Sequence, residues 1–305
     1  MRRRVGIEKH FGKTRGAKLL REIRRAFSYS EIRRKRTVSK NLVYLCRRGS
    51  EQFVLKKYVP RKGLEKEFKK RALNEINTYI SLEDELSLPK VAAYNAHETY
   101  LVMKKEPLRK VKSLSAKTAR DAALLLAKIH SMPAPNHPHL FKYGFSYYHN
   151  TLHHMLRNLQ AKGVLTPHEA NAVDKLLEGS RRDITGAEET FVHGDYHLEN
   201  LFYDKNRLIP LDFEYSGIGS PAYDLAVFLF PTAKGRNKEL FLKEYLAKRK
   251  LKNFKRLFEV MLLRRCIELL HAFAGNRKAR QYKSAAGKLR AMLAAKSANG
   301  LKDGE

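Results

Sequence analysis

The chain of 305 residues has no tryptophan and only two cysteines, Cys46 and Cys266. Two distant thiols cannot build a disulfide framework, and they lack the paired spacing of a zinc-binding set. Reduced thiols and a cytoplasmic location are therefore expected. No apolar run approaches the roughly 20 residues needed to cross a bilayer. The basic N-terminus, MRRRVGIEKHFGKTRGAK, lacks the apolar stretch of a secretory signal, and Glu8 and Glu22 speak against an organellar presequence. No internal repeat or low-complexity segment is present, which excludes solenoids and arrays. Acids are scarce as well, with 31 Asp and Glu against 62 Lys and Arg, a formal net charge of +31.

What is present suits a folded chain. Apolar residues make up 43% of it, with 15 Tyr and 15 Phe, enough for one large core or two ordinary ones. The positive charge sits at the ends. Residues 1–70 hold 24 Lys and Arg against 6 acids, and residues 231–305 hold 20 against 6, so the middle is close to neutral. Basic ends of this kind suit contact with an anionic surface or polyanion, although solubility alone would give the same pattern.

Leu19, Leu20, Ile23 and Phe27 recur at helical spacing with Arg21, Arg24 and Arg25 between them, a basic amphipathic helix expected to pack on its own domain. From Thr37 the period changes. NLVYLC, the turn RRGSEQ and FVLKKYV read as two paired strands, and SLPKVAAYN with HETYLVMKK reads as two more. Between them Leu64, Phe68, Ala72, Ile76 and Ile80 mark a helix over 64–80. The expected antiparallel sheet covers about 35–105. Beyond Pro107 the pattern is helical over 116–130, 151–178 and 238–274, with Gly275-Asn276 as a stop and a frayed tail after Ser297. Residues 191–213 are the strand-like exception.

That exception contains HGDYHLENLFYDKNRLIPLDFEYSG, residues 193–217, a concentration of acids in a basic chain. Leu201-Phe202-Tyr203, the turn Asp204-Lys205-Asn206, and Leu208-Ile209-Pro210-Leu211 form a short hairpin. Pairing draws its ends together, so Asn200 just before it and Asp212 just after it are expected side by side. One amide and one carboxylate without cysteine suit Mg2+, which completes its shell with water and phosphates. Asp195 can face the same centre. His153-His154 and His137-x-His139 have no evident carboxylate or cysteine partners, and no zinc site is expected there.

His193-x-Asp195-x4-Asn200 resembles the kinase catalytic loop, in which the Asp takes up the acceptor hydroxyl and the Asn binds Mg2+. HGDYHLEN, with His197, is similar to the version found in aminoglycoside phosphotransferases and choline kinases. LDFEYSG carries Glu214 where protein kinases usually have Gly, again as on the choline-kinase side. GSPAYDLAVFL resembles the following helix, whose Asp, here Asp224, supports the catalytic loop. The motifs span residues 193–229. The resemblance implies an α+β, bilobal protein kinase-like fold: a basic helical extension over 1–34, a nucleotide-binding N-terminal lobe over 35–105 with one helix, and a larger helical lobe over 106–305.

It further implies a nucleotide lysine. Strand alternation admits only one of Lys56 and Lys57, and V-L-K parallels V-A-I-K, which favours Lys56. Its expected partner is Glu75, on the helix face of Phe68, Ala72 and Tyr79, with Glu65 as the alternative. The phosphate-covering loop, TVSKN at 37–41, has no glycine, and Ser39 is its candidate contact. LVMKKEP supplies the hinge at Met103, with Lys104-Lys105 where an acid is common, leaving ATP versus GTP open. His193 and His130 are expected to be structural.

The expected reaction is Mg2+-dependent transfer of the γ-phosphoryl group of ATP to a small-molecule hydroxyl, with Asp195 as base. The acceptor is an amino alcohol, a sugar or an anionic metabolite. Tyr143, Phe145, Tyr147 and Tyr148 could line its pocket. Glu169, Asp174, Glu178 and Asp183 could meet a polycation, but Arg181, Arg182 and the basic C-terminal helices oppose one. Two alternatives stand beside this reading. An atypical protein kinase is disfavoured because only eleven residues separate Asp212 from Asp224. A relict kinase fold serving as a polyanion-binding module is disfavoured by the full set of Lys56, Glu75, Asp195, Asn200 and Asp212.

Overall fold

The structure, a computed structural model, describes residues 21, 23–25, 27–35, 41–60, 62–97, 99–230 and 235–300, with side chains to 296. The described chain forms two compact units. The first holds the residues up to Lys110 with 135–140 and 201–216, and the second holds 111–134, 141–200 and the remainder from Gly217.

In the first unit, β1 (Glu31–Lys35), β2 (Leu42–Arg48), β3 (Glu51–Lys57), β4 (Val91–Asn95) and β5 (Tyr100–Lys104) form one antiparallel sheet in the order β1-β2-β3-β5-β4. The β2–β3 turn places Gly49 at φ +60°, where a side chain is strained. The sheet begins earlier than the sequence suggests. EIRRK offers a single apolar residue, as befits an edge strand whose charges discourage further pairing. Ile23, Tyr29, Tyr44, Cys46, Phe53, Leu55, Ala93, Tyr100 and Val102 form the core on one side of this sheet. Ile23 thus packs on its own domain, while Leu19 and Leu20 lie outside the described residues. Helix α1 (Glu65–Leu82) buries Phe68, Ala72, Glu75, Ile76 and Tyr79 along one stripe. A second sheet pairs β6 (Arg109–Lys110) with β9 (Leu201–Asp204), and β9 with β10 (Arg207–Pro210).

The second unit is mostly helical: α2 (Ala116–Ser131), α3 (Phe145–Ala161), α4 (Pro167–Glu178), α5 (Arg181–Thr185), α6 (Pro221–Leu229), α7 (Arg236–Lys248), α8 (Phe254–Ala272) and α9 (Arg280–Gly300). The helical pattern over 151–178 is two helices. Gly163 turns the chain at φ +59°, and Thr166 and Glu169 then exchange a reciprocal capping pair ahead of Pro167. The pattern over 238–274 is likewise broken, with Asn253 left-handed at φ 52°. The segment after Gly275 forms α9, which buries Ala285 and Leu289. Strands β7 (Phe141–Tyr143), β8 (Thr190–Val192) and β11 (Gly217–Gly219) make a small mixed sheet in the order β7-β11-β8. A Cβ on Gly217 would lie 2.4 Å from the Phe141 carbonyl oxygen, so only glycine lets these strands approach.

Candidate active site

Strand alternation sends Leu55 into the sheet core and Lys56 to the opposite face. There the Lys56 Nζ lies 2.6 Å from Glu75 Oε2 and 2.6 Å from Asp212 Oδ1. The Tyr58 hydroxyl donates to the same Glu75 oxygen at 2.5 Å. Lys56 and Glu75 are buried, whereas 35% of the Asp212 side chain is exposed. Asp212 sits in the left-handed region at φ 71°, a backbone strain of the kind stored at functional sites. Its backbone N–H faces the Tyr79 hydroxyl, and Asn74 Nδ2 donates to the carbonyls of Phe213 and Ser216. Helix α1 therefore fixes the path of the LDFEYS segment.

Glu214 joins this group. Ligand oxygens of Glu75, Asp212 and Glu214 all lie within 4.8 Å of one another, and Asn41 Nδ2 donates to Glu214 at 3.2 Å. Three carboxylates share one ammonium. Burial opposes the charge on Lys56, but Asp212 and Glu75 outweigh it and hold the ammonium well above its usual range. Burial raises Glu75 and Lys56 lowers it, and the neighbouring acids help to bring it to about 7. Burial, with Asp212 beside it, also raises Glu214 against the pull of Lys56. Such an excess of negative charge suits a divalent cation. Met103 lies in β5, buried and paired with Val54, and the next residues donate backbone N–H groups to Lys90 and Gln52 carbonyls. Ser39 lies outside the described residues.

In the second unit the loop after β8 is tied from beneath. The fully buried Asp224, near the start of α6, accepts the backbone N–H of His193 at 2.7 Å and of Gly194 at 2.9 Å. Its Oδ2 also meets His130 Nε2 at 3.1 Å, and His130 Nδ1 meets the Tyr245 hydroxyl at 2.7 Å. Gly194 takes φ +80°, and the buried Tyr196 hydroxyl donates to the Ala122 carbonyl. His193 is buried, and its Nδ1 accepts the Asp195 backbone N–H.

Above this base, Asn200 Nδ2 donates to the Asp195 carbonyl and to Asp195 Oδ2, at 3.0 and 3.2 Å. With its nitrogen so engaged, Asn200 presents Oδ1 as the atom available to a cation. His197 Nδ1 accepts the Glu199 backbone N–H, which places the ring proton on Nε2, 3.2 Å from Asp195 Oδ2. Burial would raise the Asp195 carboxyl, but the His197 hydrogen bond and charge, with Arg265 and His193, bring it down to about 2. His197 is raised in turn, because Asp195 overcomes the effect of its burial.

Arg265 is a charged residue of α8 with no motif around it. It bonds Glu268 at 3.2 Å, and Glu268 also holds Arg264 at 3.0 Å and the Tyr223 hydroxyl at 3.1 Å. Two guanidiniums thus share one carboxylate, and the charge of Arg265 reaches Asp195. The only signal in the chain was LLRRCIELL, in which charged residues recur inside an apolar helix. Among the described residues, no helix is long and apolar enough to cross a membrane.

The profile described as the phosphotransferase enzyme family matches residues 34–256. Among curated proteins, no sequence match is found. Solved structures are similar over nearly their whole length. Choline kinase LicA from Streptococcus pneumoniae superposes with a TM-score of 0.67 at 17% identity, over 92% of this chain and 99% of that one. The streptomycin-ATP-APH(2")-IIa ternary complex gives 0.66 at 17%, over 92% and 99%. Macrolide 2'-phosphotransferase MphH from Brachybacterium faecium gives 0.63 at 14%, over 89% and 97%. The likeness establishes an α+β, bilobal protein kinase-like fold, as the sequence motifs implied.

Proposed function

Because the chain belongs to the phosphotransferase enzyme family, we propose that it transfers the γ-phosphoryl group of ATP to a hydroxyl of a small molecule. The observation that carries this reading is the state of Asp195. Its carboxylate is held ionised and receives both His197 and Asn200 on Oδ2, on a loop whose backbone is fixed by buried Asp224. A carboxylate so positioned orients the acceptor hydroxyl and takes its proton as the phosphoryl group departs.

Lys56, gripped by Glu75 and Asp212, would hold the α/β-phosphates. Asp212 and Asn200 would each offer an oxygen to Mg2+, with Glu214, next to Asp212, as a further oxygen donor. Mg2+, when bound, neutralises phosphate charge and supports in-line displacement. The streptomycin-ATP ternary complex of a structural neighbour supports ATP as donor. Met103 would lie at the adenine and Ser39 at the phosphates. The acceptor favoured is a sugar or an anionic metabolite, since Arg265 places positive charge close to Asp195.

The test is ADP release from Mg-ATP across a panel of amino alcohols, sugars and phosphorylated metabolites, with Asp195→Ala as control. At least one hydroxyl compound should stimulate release in the wild type alone. Stimulation that persists undiminished in Asp195→Ala would remove the assignment of the base.

A further inference from the structure

Two helices of the second unit present a set of metal-loving atoms that the phosphoryl-transfer reading leaves unused. His149 and His153 stand one turn apart on α3, and Asp174 and Glu178 stand one turn apart on α4, so each pair shares a helix face. The faces meet. His149 Nε2 lies 2.9 Å from His153 Nε2, His153 Nε2 lies 2.8 Å from Asp174 Oδ1, and His149 Nε2 lies 2.8 Å from Glu178 Oε1. Ligand atoms of His149, His153 and Asp174 fall within 4.8 Å of one another. The sequence alone shows no carboxylate for His153; α4 supplies one.

With both carboxylates ionised, three short contacts share at most two Nε2 protons. If each Nε2 carries a proton toward its carboxylate, two N–H nitrogens stand 2.9 Å apart and neither can accept. If one proton bridges the rings, the other nitrogen turns its lone pair on a carboxylate oxygen 2.8 Å away. Asp174 Oδ1 accordingly makes no hydrogen bond despite being buried. A cation placed among His149, His153 and Asp174 relieves the contacts within that group, because their ligand atoms fall within 4.8 Å of one another.

We propose that His149, His153 and Asp174 form a binding site for a zinc-class divalent cation that clasps α3 to α4, with Glu178 beside His149 turning in as the fourth donor. Two imidazoles and two carboxylates are an ordinary donor set for Zn2+, and tetrahedral bonds to nitrogen would space the ligand atoms about 3.3 Å apart. The 2.9 Å nitrogen separation reaches that value with small side-chain rotations. The surroundings fix the ligands. Arg181 Nε lies 3.4 Å from Glu178 Oε2, turning Oε1 to the site, and the His149 ring packs on Phe145 at 5.6 Å. Leu152, Leu156, Val173 and Leu177 hold the two helices in the unit's core. Side-chain exposures of 29% for His149 and 37% for His153 leave the ion a way in.

The test uses the full, untagged chain, stripped of metal by a chelator and titrated with Zn2+ against a chromophoric competitor. One equivalent should bind, Co2+ in its place should give visible d–d absorption, and added zinc should raise the Tm. In His149→Gln/His153→Gln the affinity should fall at least about 100-fold, the upper end of what a lost outer-shell partner costs. Asp174→Asn serves as an independent variant, and the Tm of each in chelator reports its fold. Failure of the wild type to bind a stoichiometric ion overturns the proposal. So does zinc binding left intact in the variants, which would place the ion at other groups such as Glu75, Asp212 and Glu214.

Discussion

At Glu75 three carboxylates compete for a single ammonium, and the sign of the resulting pH dependence follows. The group's folded value stands at about 7, above its ordinary 4.5. The folded state therefore binds the extra proton, and stability from this group falls as pH rises from about 4.5 to about 7. Glu75→Gln should flatten that stretch of a Tm-against-pH curve. An unchanged slope would mean that Glu75 is not the titrating group. Asp195 behaves in the opposite sense. Its stabilising ionisation is present above the ordinary 3.8 and is lost as pH falls toward about 2. Removing the His197 proton donor takes away the interactions that hold Asp195 down, so His197→Ala should move the acid limb of the kcat/KM profile to higher pH. A profile unmoved on its acid side would separate His197 from the tuning of Asp195. Lys56→Met should cost at least about a hundredfold in kcat/KM, because a positioned cation aimed at developing charge is worth that much.

At the scale of elements, the loop that carries Asp195 depends on a buried anion rather than on its own strand. Asp224→Ala would leave two backbone N–H groups buried without their acceptor, a loss of about 2–5 kcal/mol in urea unfolding. A loss near zero would show that the loop holds itself. Gly217→Ala should destabilise by about 1–3 kcal/mol, since the clash is with backbone rather than with a side chain that can yield. The β2–β3 hairpin, α1 and the β9–β10 hairpin were legible from period and turn chemistry. β1 was not, because an edge strand of alternating charges has no apolar signature. Nor was β11, whose two glycines carry no propensity at all and pair only through tertiary context. The breaks at Gly163–Thr166 and Arg249–Asn253 were written in glycine, the capping box and polar residues, but the apolar period runs through them and conceals them.

Across the whole molecule, the sequence spoke clearly where chemistry is local. The Lys56–Glu75 contact follows from strand alternation and one helix face, and the hydrogen bonds from Asn200 to Asp195 lie within a single loop. Contacts made by long-range folding were silent. Nothing in LLRRCIELL shows that Arg265 comes near Asp195, and the spacing His149-x3-His153 gains meaning only when α4 brings Asp174 and Glu178 against it. The strong basic excess of the chain fits an anionic acceptor better than a polycation, and Arg265 adds a local reason for the same choice. A salt-insensitive KM for the acceptor would weigh against that choice. The choice of acceptor matters only if the chain carries out the phosphoryl transfer itself. That transfer is tested most directly by single-turnover transfer from γ-labelled Mg-ATP to a hydroxyl compound that stimulates ADP release, comparing the wild type with Asp195→Ala. Label is expected on the acceptor oxygen in the wild type, with a rate at least about a thousandfold lower in the variant. Equal transfer by both proteins, or ADP release with all label in inorganic phosphate, would contradict it.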